Sequence, residues 1–331
     1  MGGGALWRGA EHGATGDRPD SMSGPVTDAG ADVVTASATP QAAIVEITES
    51  RPGHVGSFTV RRALPRRDRR TVGPWCFVDH MGPAAISEDR GLDVAPHPHI
   101  GLQTVTWLIE GEAVHRDSLG TEQQIVPGEL NLMTAGHGVA HSEEGTGRYR
   151  GLLHGAQLWI AQPSTTRDGP PAFEHHAVLE ACDLGAARAT VLVGELDGVA
   201  SPARRDTEHL GVDLALRPGT STVALRTDYE HALVVLTGAI RVEGKVVAPG
   251  QLAYLGTGRE KLVLEASALS RALLIGGVPF DERVLMWWNY VARTREEIEQ
   301  AHAEWMAASN RFGQVDSSLP RIEVAPPPWA H

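Results

Sequence analysis

At 331 residues with 37 Gly and 21 Pro, the chain is long enough for two domains and too rich in turn positions for an architecture of long helices. A formal net charge of −12 excludes a general nucleic-acid-binding face, which needs a basic surface. Cys76 and Cys182 lie outside any CxxC, which excludes a disulfide framework and fits a cytoplasmic setting, and no apolar run reaches the roughly 18 residues of a membrane span.

Residues 1–42 are Gly, Ala, Asp, Thr and Ser with scattered Pro, and lack the basic-then-apolar order of a secretory signal. They bury too little apolar surface to offset ordering entropy, so a disordered tail is expected. The first strand is expected over Ala43 to Glu49 and the next over Gly56 to Val60. Residues 61–70 hold six arginines, read either as a patch for an acidic partner or as a solvated turn. Trp75 to Asp79 is a buried strand, stopped by Met81-Gly-Pro83.

From Gly91 to Gly155 short strands alternate with Gly and Pro turns, the pattern of a sandwich or jelly-roll barrel. A weaker copy follows about 120 residues later. Thr106-Trp-Leu-Ile-Glu-Gly111 and Pro127-Gly-Glu-Leu-Asn-Leu132 parallel Leu233-Val-Val-Leu-Thr-Gly238 and Pro249-Gly-Gln-Leu-Ala-Tyr254. The fold class expected is all-β: two tandem jelly-roll barrels over 43–175 and 176–312, the second ending in a short helix, with a Pro-rich tail over 313–331. Thr294 and Glu297 form a capping-box pair, and Ile298, Ala301, Trp305 and Ala308 recur at helical spacing, so this helix runs from Arg295 to near Asn310. Trp287 and Trp288, just before it, are packing residues, and His175-His176 is linker surface.

The chemistry concentrates between Pro96 and Glu144. His97-Pro98-His99 and His141-Ser142-Glu143 are both i, i+2 pairs. On strands, each pair projects from one face, so two strands present four ligand atoms to one point. Imidazoles with one carboxylate suit a first-row transition metal, as in non-haem Fe(II) sites. Gly101 leaves room beside His99, and Gln103 follows as a second-shell hydrogen-bonder. His137 is a neighbour of the site rather than a ligand. His80, His115 and His154 stand singly and carry no expectation of metal binding. The second copy offers a single histidine, His231, and no HxE, so a metal-free second barrel is expected.

Gly91-x5-His97-Pro-His99-x3-Gln103, Pro127-Gly-Glu and Thr134-Ala-Gly-His-Gly-Val-Ala-His141-Ser-Glu143 together closely resemble the pirin family of bicupins. The likeness extends in looser form from about residue 44 to 312, including Gly73 to His80 and the C-terminal helix. It implies two stacked cupin barrels with iron held in the first by His97, His99, His141 and Glu143. Glu often stands in the wider cupin motif where Gln103 stands here; the departure does not empty the site but counts against a mechanism that needs Glu at 103 as a base. The resemblance implies a quercetin 2,3-dioxygenase-like enzyme acting on a flavonol and O2, with Glu143 also accepting the substrate hydroxyl proton. The alternative it implies is a non-catalytic, redox-responsive iron protein that binds a protein partner.

Overall fold

The structure, a computed structural model, describes residues 45–56, 58–86 and 91–330; the tail expected over 1–42 lies outside them. The first half contains strands β1 (Glu46–Glu49), β2 (Arg51–Val55), β3 (Phe58–Leu64), β4 (Trp75–Ile86), β5 (Val94–His99) and β6 (Leu102–Glu110). They are followed by β7 (Ala113–Asp117), β8 (Glu122–Ile125), β9 (Leu130–Thr134), β10 (Val139–Glu144), β11 (Gly151–Ala161) and β12 (Ala172–His176). A seven-stranded sheet in the order β12-β9-β6-β11-β4-β3-β2 faces a four-stranded sheet in the order β5-β10-β7-β8. Alternation builds this barrel: in β7 the side chains of Ala113, His115 and Asp117 are buried while Val114 and Arg116 are only partly so.

The second half repeats the plan. Gln251–Gly256, Glu230–Thr237, Ser270–Gly277 and His209–Leu216 run side by side as β9, β6, β11 and β4 do, and a four-stranded sheet again covers them. In both halves the strand after the Pro-Gly turn pairs back on the strand that ended in Gly, Thr106 opposite Asn131 and Leu233 opposite Ala253.

Three segments depart from the expected boundaries. β1, expected to open the first barrel, pairs with Gln251–Gly256 at the edge of the second barrel's sheet, Glu46 opposite Tyr254. His175 and His176 are not linker: they lie in β12, which pairs with β9, and His175 Nδ1 is 2.8 Å from Asn131 Oδ1. The C-terminal elements, assigned by sequence order to the second barrel, return to the first. A hairpin of Leu285–Trp287 and Tyr290–Ala292 and the helix α1 (Arg295–Met306) pack with Ile100 and Ala140. Long-range burial decides all three, because an apolar face joins whichever sheet leaves one uncovered.

α1 starts where expected. Thr294 Oγ1 accepts the Glu297 N–H, and Ile298, Ala301 and Trp305 are its buried stripe. It ends at Met306, short of Asn310, with Ala308 in the left-handed region at φ 52°. The tail beyond is extended and pinned: Ile322 N–H donates to Pro96 O at 2.8 Å, and Trp305 Nε1 donates to Ile322 O at 2.8 Å. Hairpin and tail thus cover the open side of β5, the edge strand that Pro98 predicts.

The two large sheets stack on an apolar layer that includes Val105, Trp107, Leu158, Val234, Leu273 and Ile275. Trp75 spans it, its indole N–H shared between Leu210 O at 3.0 Å and Gly276 O at 3.1 Å. The arginine run is divided: Arg62 is buried, Arg61 and Arg67 are exposed, and the others are half-buried. Arg62 is buried in a bidentate pair with Asp79, both contacts 2.8 Å, and Arg69 pairs with Glu46 over the Tyr254 ring.

Candidate metal centre

β5 and β10 are antiparallel neighbours with His97 directly opposite His141 and His99 opposite Val139. The rings converge: His97 and His141 centroids are 4.4 Å apart, and His99 lies 4.9 Å from each. A register shift between His141 and Glu143 bends β10, and Glu143 then sits across from His115 of β7. Ligand-type atoms of His97, His99 and His141 lie within 4.8 Å of one another, and those of His115, His141 and Glu143 do likewise. His97, His99 and His141 thus form one buried cluster, Glu143 stands with His141 in a second, and a fifth residue joins them there.

That fifth, His115, is one of the histidines set aside by sequence reading. Its ring stacks on Phe173 at 4.4 Å, its Nε2 faces Asp117 Oδ2 at 3.2 Å, and its Nδ1 faces His141 Nδ1 at 3.3 Å. The sequence carries a signal: His115-Arg116-Asp117 repeats the i, i+2 spacing of His with a carboxylate seen in His141-Ser142-Glu143. His80 and His154 also pair, Nε2 to Nε2 at 2.9 Å, but on the β4–β11 face turned from the barrel interior.

Two expected neighbours fall elsewhere. Gly101 sits at φ 65° where the chain passes from the small sheet to the large one, and this break resets the alternation. Gln103 consequently shares the face of Val105 and Trp107, in the layer between the barrels, where it donates to Thr134 Oγ1 at 3.0 Å. Thr106, on the opposite face of the same strand, is the residue that meets Glu143, Oγ1 to Oε1 at 2.8 Å, and it also meets Gln157 Oε1 at 2.9 Å. The reason for glycine at 101 is not room for a ligand: a Cβ there would stand 2.2 Å from Val291 O of the C-terminal hairpin. His137 is exposed, its Nδ1 3.1 Å from Gly169 O, and it lines a separate cleft of about 550 Å³ with Arg167, Glu297 and Arg311.

The hydrogen bonds define which nitrogens are free. His97 Nδ1 donates to Ala95 O and His99 Nδ1 donates to Asn289 O, each at 2.9 Å, so with neutral rings both Nε2 atoms carry lone pairs. Neutrality is enforced by burial, which pushes His97 down to about 4 and His99 and His141 well below the usual imidazole range, the neighbouring histidines adding to the effect. Burial pushes Glu143 up, against the opposing pull of His115 and Thr106.

The array is short of protons. His99 Nε2 faces His141 Nε2 at 3.0 Å, and His141 Nδ1 faces the Nδ1 of His115, whose own proton belongs on Nε2 toward Asp117. With His115 neutral, one proton on His141 cannot serve both contacts. A cation accepting the His99 and His141 Nε2 lone pairs removes the conflict and lets His141 Nδ1–H donate to His115. The residues therefore fit a bound metal better than they fit one another.

Two stacked jelly rolls, with three imidazoles clustered on adjacent strands of one of them and a carboxylate beside one of those imidazoles, define a bicupin with a candidate metal centre. The chain belongs to the pirin family: the Pirin model matches residues 57–160 and the Pirin C-terminal cupin domain model matches 211–313. A Pseudomonas aeruginosa protein named "Putative quercetin 2,3-dioxygenase" is 47% identical over 277 residues, covering 83% of this chain and 87% of that protein. A Caulobacter vibrioides pirin-like protein is 38% identical over 278 residues, 82% of this chain and 96% of its own length. The crystal structure of quercetin 2,3-dioxygenase from Acinetobacter baumannii superposes with a TM-score of 0.84 at 39% identity, covering 87% of this chain and 97% of that one.

Proposed function

We propose that this protein is a metal-dependent dioxygenase that opens the ring of a flavonol such as quercetin, with one Fe(II) held by His97, His99, His141 and Glu143. The reading is carried by the cluster of His97, His99 and His141, with His99 and His141 Nε2 at 3.0 Å and, with His115 neutral, no proton to place between them once His141 serves His115. Support for the reaction class comes from relatives whose names include quercetin 2,3-dioxygenase. Iron at this place supplies a Lewis acid and a one-electron redox partner for an enolate and O2.

The chain's own residues do the rest. The carbonyls of Ala95 and Asn289 fix the orientation of His97 and His99. Glu143, with a proton affinity raised by burial, accepts the proton of the flavonol hydroxyl. Its Oε1 accepts a hydrogen bond from the Thr106 hydroxyl, which holds the carboxylate in place. One flavonol and one O2 then leave as a ring-opened ester and one carbon monoxide, the proton on Glu143 returning to the product carboxylate.

The test is quercetin absorbance on protein verified to carry iron. Decay in air, none under argon, and release of carbon monoxide are expected; no decay in air overturns the reading. The rival, a non-catalytic redox-responsive protein that binds a partner, rests on the arginine run, from which the burial of Arg62 against Asp79 withdraws one residue.

A further inference from the structure

A cleft of about 630 Å³ opens between the two barrels, lined by Ile109 of β6 and His154 of β11 from the first and by Ala215, Leu269 and three arginines from the second. The arginines are placed by strand register. Arg188 of Ala187–Val193 lies opposite Ala215 of His209–Leu216, and Ala215 lies opposite Arg271 of Ser270–Gly277. Directly opposite residues on antiparallel strands share a face, so Arg188, Ala215 and Arg271 form one row. Arg217, whose N–H continues the ladder to Ala186 O at 3.0 Å, follows two residues after Ala215 and shares that face too. Three guanidiniums therefore surround one methyl group, and the small Ala215 leaves open the strand's width between Arg188 and Arg271.

The charges do not cancel. Arg271 holds the buried Asp213, Nε to Oδ1 at 2.8 Å and Nη2 to Oδ2 at 2.5 Å, which leaves its Nη1 unpaired among the described residues. Arg188 stands 3.8 Å from Asp183 with both side chains largely in solvent, and Arg217 makes no ion pair among the described residues. Glu110, opposite His154 across β6 and β11, is exposed and does not line the cleft. Three cations thus meet two carboxylates, on a chain whose net charge is −12.

A further donor comes from the first barrel. Arg61 Nη1 donates to His80 Nδ1 at 3.4 Å, so a neutral His80 carries its proton on Nε2 and donates it to His154 Nε2 at 2.9 Å. Burial keeps both rings neutral, with a smaller push from the neighbouring charges. The His154 proton is then on Nδ1, which has no partner among the described residues and is not sealed from solvent. Guanidiniums and this N–H are donors only, so the group they take is an acceptor, and one surplus positive charge matches a monoanion. A planar carboxylate suits the guanidinium fork. Ile109 from one barrel and Leu269, 74% exposed, from the other offer apolar contact beside it.

We infer that the cleft between the barrels binds a small monocarboxylate with an apolar body, its carboxylate at Arg217, Arg271 and the His154 N–H, its apolar part against Ile109 and Leu269. This site lies apart from the metal centre and does not rest on the activity proposed for it.

The experiment uses the full chain, hexanoate as probe, 1-hexanol as its uncharged match and inorganic phosphate as an anion without an apolar part. In two-dimensional ¹H–¹⁵N spectra of the histidine rings, the His154 signals should shift saturably with hexanoate, and much more weakly with the other two. Arg217→Ala, at an exposed position, should weaken hexanoate about tenfold, the loss of one charge-assisted hydrogen bond, while Arg217→Lys keeps most of the affinity. Stripping the metal with a chelator should leave hexanoate binding in place. His154 signals that stay still, equal affinity for 1-hexanol or phosphate, unchanged affinity in Arg217→Ala, or binding that vanishes with the metal each overturn the inference. The unmodified chain carries the first and last of these readings, so a variant that fails to fold does not remove the test.

Discussion

The two barrels share a strand order and differ in what fills them. In the first, β5 and β10 bring His97 opposite His141, with His99 and Glu143 two residues further along each strand. In the second, the corresponding strands Gly219–Ala224 and Lys261–Ala266 pair Ser221 with Leu264 and Val223 with Leu262. Val223, Leu262 and Leu264 belong to the second barrel's apolar core. One scaffold thus spends the same inward positions on lone pairs in one copy and on buried methyl groups in the other. The consequence is a division of labour: apolar filling stabilises, whereas a cluster of neutral imidazoles costs desolvation and is kept for what it can bind.

The sharpest way to break this comparison is to move the metal. His97→Ala with His141→Ala should take protein made in iron-rich medium from about one metal per chain to none by elemental analysis, and His231→Ala should leave the metal content unchanged. Metal retained in the double variant, or lost in His231→Ala, would erase the distinction between the barrels.

Acid should act on both barrels. Burial holds His80 down at about 3 and His97, His209 and His231 at about 4. The unfolded chain titrates near 6.5, so above that pH both states are neutral and stability is full. Below it the unfolded state takes up protons first, and stability falls until the folded pKa values near 4 are reached. Each histidine contributes up to about 1.4 kcal/mol per pH unit in that window. Denaturant midpoints of metal-free protein from pH 7 to 4.5 should show the fall, and His231→Gln should make it shallower by about one proton.

Gly101→Ala should cost about 2–4 kcal/mol, because it strains a left-handed residue and drives a Cβ against Val291 O. It also loosens the hairpin whose Asn289 carbonyl orients His99, so metal affinity should fall with stability. Smallest is Thr294→Ala, which removes an N-cap worth about 1 kcal/mol. Since α1 packs on the first barrel, a chelator competition should register this loss.

Much of the candidate site was legible because its determinants are local. Two i, i+2 pairs, a proline that suits an edge strand and glycine-rich turns have fixed geometric meaning wherever a strand forms. His115-Arg116-Asp117 obeys the same rule and was passed over because its histidine stands alone. Gln103 failed for the opposite reason: the face count was carried through Gly101, where a positive φ breaks it, so the residue points between the barrels. His137, four residues before His141, is turned outward by the glycines on either side.

The sequence by itself determined the strand alternation, the duplication, the helix start at Thr294 and the two ligand-type pairs, since each follows from periodicity or spacing within a few residues. Tertiary structure decided what depends on partners distant in the chain: β1 crossing to the second sheet, Arg62 burying against Asp79, and Asn289 supplying the carbonyl behind His99. It also decided that His231 is fully buried in the second barrel. Sheet register and the docking of apolar faces set those contacts, and neither leaves a repeat in the local sequence from which it can be read.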